Sequence, residues 1–297
     1  MPKSKRGSIF SLLTRKKTKI KTDKKSADIK TRKLIYKTLK NHYMHYNENV
    51  WKKILTEKNW EKYFNDNWLD KNKKRDHGGY INPTEMKEIM ADNSILPKEL
   101  PSLENKNNIY KIIVPTCSFN LKEYQRKYIT ILRKLLHEFH GEILELDLSS
   151  NGGGKTEVIA SGLLPLFLLQ PSKKLTLIEN AKGVQKECVK IVNNEIYNLP
   201  VNVNKTKSME NAPKKINIYI GNQTASAAEQ ITLALTLLKK ISQVTFLGNP
   251  SAGFTTWIDY IELPNGGGFE YPVGTMVSIS GVKARSNGRL YTQDLNL

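Results

Sequence analysis

Apolar and polar positions along this chain follow two different periods. Across residues 33–69 the apolar side chains recur at helical spacing: Leu34, Ile35 and Leu39, then Trp51, Ile54 and Leu55, then Tyr63 and Phe64. That pattern predicts two or three helices forming a small N-terminal cap. From residue 109 onward the texture changes. Short apolar runs at 109–114, 142–148, 174–178, 216–220 and 244–247 read as strands. Segments 122–139, 157–169, 184–197 and 227–240 read as helices, the first with Tyr124, Tyr128, Ile131, Leu132, Leu135 and Leu136 on one side. Strands alternating with helices predict an α/β layer around a largely parallel sheet. After Gly253 the chain turns β-like at 256–263, 268–273 and 276–280, and Pro264-Asn265-Gly266 is a turn joining the first two.

The stretches between these regions are polar. Residues 71–82 hold Asp76-His77-Gly78-Gly79-Tyr80, and 83–108 are rich in Pro and Asn with one helical piece at 84–90, which reads as a loop or flap. The aromatics Trp51, Trp60, Tyr63, Phe64 and Trp68 interleave with lysines, as a packed core or as a binding face. No internal repeat is present. The reading divides the chain into a basic disordered tail (1–32), a helical cap with a loop or lid (33–108) and an α/β core ending in a β segment (109–297).

Charge adds a partner class. The 47 basic and 28 acidic side chains give a net charge of +19. Much of the excess is local: residues 1–32 carry twelve Lys or Arg against two Asp. Such a segment cannot bury enough apolar surface to fold alone. It is suited to nucleic acid or an anionic surface, or simply keeps the chain soluble. The two cysteines, Cys117 and Cys188, form neither a disulfide framework nor a metal spacing and read as buried, inert thiols. The pairs His42/His45 and His137/His140 lack an accompanying carboxylate or cysteine box, so no metal and no cofactor is expected. No signal peptide is seen and no run approaches the ~20 apolar residues of a membrane span. The expected setting is soluble and intracellular, in cytoplasm or, for a viral chain, a virion.

Two strand-to-helix turns carry candidate chemistry. In Asp147-Leu148-Ser149-Ser150-Asn151-Gly152-Gly153-Gly154-Lys155-Thr156, three consecutive glycines allow positive φ and a nest of N–H groups. This turn is a phosphate loop, half of an oxyanion hole, or a plain tight turn. Its Gly154-Lys155-Thr156 matches the end of a phosphate-loop motif, but Ser149 stands where the first glycine belongs. In Gly221-Asn222-Gln223-Thr224-Ala225-Ser226-Ala227-Ala228-Glu229, a serine sits at the positive end of a helix dipole. Thr224 or Ser226 caps the helix with Glu229 as capping-box partner, or Ser226 is a nucleophile beside its oxyanion donors.

These two motifs, followed by Leu247-Gly248-Asn249-Pro250-Ser251-Ala252-Gly253, resemble in order and spacing the tail-specific, or C-terminal processing, serine peptidases. The resemblance covers about residues 109–281 and reaches back to Asp76-His77-Gly78-Gly79-Tyr80. It implies an α/β fold, the αβ-spiral core of the Clp protease/crotonase type. It implies Ser226 as nucleophile, with the N–H groups of Ala227 and of Gly153 (or Gly154) as oxyanion hole. Many members carry a lysine base where this chain has Phe254. The branch without that lysine, and without a PDZ domain, is similar to nisin-resistance proteases and implies His77 as the base. Glu229 would then orient His77 or complete the capping box. Substrate would be a peptide or protein, added as a strand near 258–263, with 65–74 and 83–108 as a lid. The alternatives are a peptidase homologue that binds peptide or protein without cleaving it, and a polyanion-binding protein whose tail is the function.

Overall fold

The computed structural model describes residues 24–69, 77–91, 99–106, 109–118, 121–196 and 206–297. Residues 1–23 of the basic tail, and 70–76, 92–98 and 107–108 of the expected lid, lie outside the described residues. In chain order the elements begin with α1 (Lys24–His42), α2 (Glu48–Trp51), α3 (Trp60–Asn67), β1 (Gly79–Ile81), α4 (Pro83–Ala91), β2 (Ser102–Lys106) and β3 (Ile109–Ile113). They continue with α5 (Lys122–His137), β4 (Ile143–Asp147), α6 (Thr156–Gly162), α7 (Leu164–Phe167), β5 (Lys174–Glu179), β6 (Gln185–Val192), β7 (Glu195–Ile196) and β8 (Lys215–Ile220). The last are α8 (Ala227–Leu235), β9 (Gln243–Gly248), β10 (Thr256–Glu262), β11 (Gly268–Ser278) and α9 (Thr292–Asn296). The chain divides into two compact units.

The first unit takes the chain up to Asn93 together with Asn180–Lys182 and Thr256–Gly274. Its core is aromatic: Trp51, Trp60, Phe64, Trp68, Tyr80 and Phe269 are buried with Ile35, Leu39 and Ile54. Phe64 and Trp68 stack at 5.0 Å. The interleaved aromatics are thus core, and the lysines between them face solvent. Helix α1 starts at Lys24, inside the stretch expected to be tail. Ala27 and Thr31 are buried there, and Asp28 ties Arg32 (2.9 Å) to the indole N–H of Trp60 (2.9 Å). Strand β1 pairs antiparallel with β11, Gly79 opposite Glu270.

The second unit holds a sheet in the order β2-β3-β4-β8-β9. Strands β3, β4, β8 and β9 run parallel and β2 is antiparallel at the edge. Alternation sends Ile112, Leu144, Leu146, Ile216, Ile218 and Phe246 into the core, all buried. The opposite face carries Lys111, Glu145, Asp147, Asn217 and Tyr219, linked by a Lys111–Asp147 ion pair (2.7 Å) and a Tyr219–Glu145 hydrogen bond (3.0 Å). At the free edge of β9, the Asn296 carboxamide of α9 accepts from Phe246 N–H (2.8 Å) and donates to Phe246 C=O (3.0 Å). It does there what a neighbouring strand would do.

Four expectations change. The segment 184–197 is a hairpin, β6 and β7, rather than a helix. Its buried residues Val189 and Ile191 alternate, and Asn193 and Asn194 take the positive φ of a two-residue turn. The expected helix at 157–169 is two short helices. Pro165 has no N–H for the carbonyl of Ser161, which accepts instead from Arg133 Nε at 2.8 Å. Strand β2 replaces part of the expected loop; Ser-Leu-Glu-Asn-Lys carries one apolar residue and so shows no period. The two strands expected after residue 267 are the single strand β11.

Candidate active site

The second unit brings the ends of β3, β4 and β8 together, and the site is assembled where the chain leaves them. Beyond β4, Asn151 is fully buried. Its Nδ2 donates to Val114 O (2.9 Å) and Pro115 O (3.0 Å), and its Oδ1 accepts from Gly153 N–H (2.8 Å). Its own carbonyl accepts from Ala225 N–H (3.0 Å). One residue, through its carboxamide and its backbone carbonyl, therefore joins three loops. Gly153 has φ +96°, and a Cβ on it would stand 2.5 Å from Ala225 O and 3.0 Å from both Ala227 N and Ser226 Cβ. Only glycine lets the two turns approach this closely.

Ser226 lies between β8 and α8 with φ 53° and ψ −115°. A residue with a Cβ avoids this region, at a cost of about 1–3 kcal/mol, and holds it only where its surroundings insist. The surroundings are specific. Thr224 Oγ1 donates to Leu148 O (2.7 Å) and accepts from Gly221 N–H (2.9 Å), fixing the turn just before the serine. Ser226 N–H donates to Glu229 Oε2 (2.8 Å). The same oxygen accepts from Phe254 N–H (2.8 Å), while Oε1 accepts from Gly253 N–H (2.8 Å) and Ser251 Oγ (2.5 Å). Glu229 is fully buried. Enclosure pushes its carboxyl up to about 7, and the four donors pull in the opposite direction.

Of the two roles open to Glu229, the geometry is that of the capping box, extended into a clamp on the 251–254 turn. Ala227 N–H, at the first helical position, has no acceptor among the described residues. Gly153 N–H is held by Asn151 Oδ1, whereas that of Gly154 has no acceptor among the described residues. Ser226, Ala227, Glu229 and Gly153 are thus gathered in one place. His77 belongs to the first unit, just ahead of β1, where burial lowers its pKa below the ordinary imidazole value. A Cβ on Gly78 would touch Glu270 Cβ at 2.8 Å. Burial pushes the Glu270 carboxyl up to about 7. Both thiols are pushed up to about 12 by burial and stay protonated.

Sequence reasoning passed over Asn151 and Ser251 as site residues. A polar residue directly before three glycines was a signal for the first. The second had none, because its partner lies 22 residues away.

Residues 112–290 match the model of peptidase family S41. The chain belongs to peptidase family S41. No curated protein matches it. Among solved structures, this S41 chain is similar to a lipoprotein from Streptococcus agalactiae, with TM-score 0.68 and 20% identity over 92% of each chain. It is also similar to a putative peptidase from Parabacteroides merdae, with TM-score 0.49 and 12% identity over 89% and 88%. A photosystem II D1 C-terminal processing protease aligns over 62% of this chain and 41% of its own, with TM-score 0.41 and 18% identity. The S41 chain is a serine peptidase-like protein with the α/β core expected of that family and a small N-terminal helical part. Its family implies peptide or protein substrates. Among the described residues, no helix is long and apolar enough to cross a membrane.

Proposed function

We propose that this S41 chain hydrolyses peptide bonds with Ser226 as nucleophile and His77 as its general base. The observation that carries the reading is the backbone of Ser226, the one residue outside a hairpin turn that bears a Cβ at positive φ among the described residues. A strained strand-to-helix turn sets the serine at the mouth of its helix, directly before an N–H that has no acceptor among the described residues. Ala227 N–H and the Gly153–Gly154 turn receive the oxyanion; each such donor is worth about 3 kcal/mol of barrier in other proteases. The neutral imidazole of His77 takes the serine proton and returns it to the leaving amine. Its depressed pKa keeps it neutral, and so competent as a base, at cellular pH. Glu229 holds the nucleophile turn rather than the base.

The test is covalent labelling with a fluorophosphonate. Ser226→Ala abolishes both labelling and hydrolysis with the fold intact, and undiminished labelling removes the nucleophile assignment. His77→Ala lowers the labelling rate by about a hundredfold or more; an unaltered rate places the base elsewhere.

A further inference from the structure

Among the described residues, Phe254 is the one Phe, Tyr or Trp whose side chain is exposed, at 46%. Its position is the informative part. The N–H groups of Phe254 and Ser226 meet the same oxygen of Glu229, each at 2.8 Å. The two backbones are therefore never farther apart than two hydrogen bonds laid end to end. The segment around Phe254 is pinned on both sides. Gly253 N–H is held by Glu229 Oε1 (2.8 Å), and the buried Thr255 donates Oγ1–H to Gly288 O (2.8 Å). The ring is thus presented by a fixed turn and is not the product of a frayed one. A lone exposed aliphatic residue needs no explanation. An exposed aromatic ring on a pinned backbone beside a strained serine is an apolar contact whose backbone needs no ordering when a ligand covers it.

We propose that Phe254 forms the wall of the subsite that receives an apolar substrate side chain, aromatic or branched aliphatic, flanking the scissile bond. This rests on Ser226 being the nucleophile. It adds a substrate class that neither the family nor the serine specifies. The contact is made by the ring alone, so Phe254→Ala leaves the backbone N–H and its clamp to Glu229 in place. Covering the exposed part of one aromatic ring is worth roughly tenfold in selectivity.

The experiment uses a matched pair of peptidyl diphenyl phosphonates on the full chain, one carrying leucine and one carrying glycine at the reacting residue. The unmodified chain reacts about tenfold faster with the leucine probe. Phe254→Ala brings that ratio to within about twofold of unity, and Phe254→Leu restores most of it. A leucine-to-glycine ratio unmoved by Phe254→Ala overturns the proposal. A second arm needs no catalysis: fluorescence anisotropy of two labelled peptides, one with a central leucine and one with glycine, on Ser226→Ala with and without Phe254→Ala. Leucine preference that vanishes with Phe254 supports the subsite even where neither phosphonate reacts, a result that would remove the hydrolytic reading alone. Equal binding of both peptides to Ser226→Ala overturns the subsite while the labelling of Ser226 still stands.

Discussion

Among the described residues, two turns hold residues with a Cβ at positive φ, and they do so by opposite means. Asn193 (51°) and Asn194 (58°) join β6 to β7 in a two-residue hairpin, exposed to solvent. Asparagine tolerates that region and the turn matches the twist of its strands, so the conformation is a local choice. Ser226 (53°) has no such licence. Its conformation is imposed by Thr224 on Leu148, by Asn151 on Ala225 and by Glu229 on its own N–H. Strain that the local sequence selects is only a turn. Strain that a converging set of buried hydrogen bonds enforces has a purpose outside the backbone.

The difference is open to direct attack, beginning with the serine. Ser226→Gly removes labelling and turnover at least a thousandfold, yet raises stability by about 1 kcal/mol because glycine accepts the backbone freely. The urea midpoint reads this, and a lower midpoint would mean that Ser226 is not strained. Next in size is Glu229→Gln. An amide offers one acceptor oxygen to four donors, so the variant loses about 2–4 kcal/mol of stability and about a hundredfold in labelling rate. An unchanged midpoint and rate would show the clamp to be idle.

The same carboxyl predicts opposed pH trends. Its pKa is raised in the fold to about 7 from an ordinary 4.5, so the folded chain binds this proton more tightly than the unfolded one. Its contribution to stability is therefore fullest below 4.5 and declines as pH rises towards 7. Labelling depends on the ionised clamp and rises across that window. Glu229→Gln flattens the Glu229 part of both curves, read by urea titration and labelling at each pH. The smallest effect belongs to the hairpin: Asn194→Gly changes stability by no more than about 0.5 kcal/mol and labelling not at all, and a larger loss would put hidden strain there too.

Much of the fold was legible because buried parallel strands are apolar runs bounded by turn residues. Strands β3, β4, β8 and β9 stand within a residue or two of their expected places. Strand β6 was misread because Lys186, Glu187 and Lys190 break the apolar run without announcing a period. Of the site, Ser226 and the glycines were legible as local turn chemistry. The clamp was not, because Ser251, Gly253 and Phe254 reach Glu229 through space. Nothing in their own sequence marks two backbone N–H groups as partners of one buried carboxylate. Phe254 was noted only for the residue it replaces, and its exposure, which no window of sequence reveals, is what gives it a role.

The Asn296 carboxamide on the rim of β9 bears on how the protein behaves in company. An open sheet edge is a template on which a second chain can crystallise its own strand, the first step towards fibrils and tangled dimers. Here both exposed groups of Phe246 are occupied by a side chain. Asn296→Ala would strip that cover while leaving the interior untouched, and its cost would surface as turbidity at high concentration, not as a lower melting point.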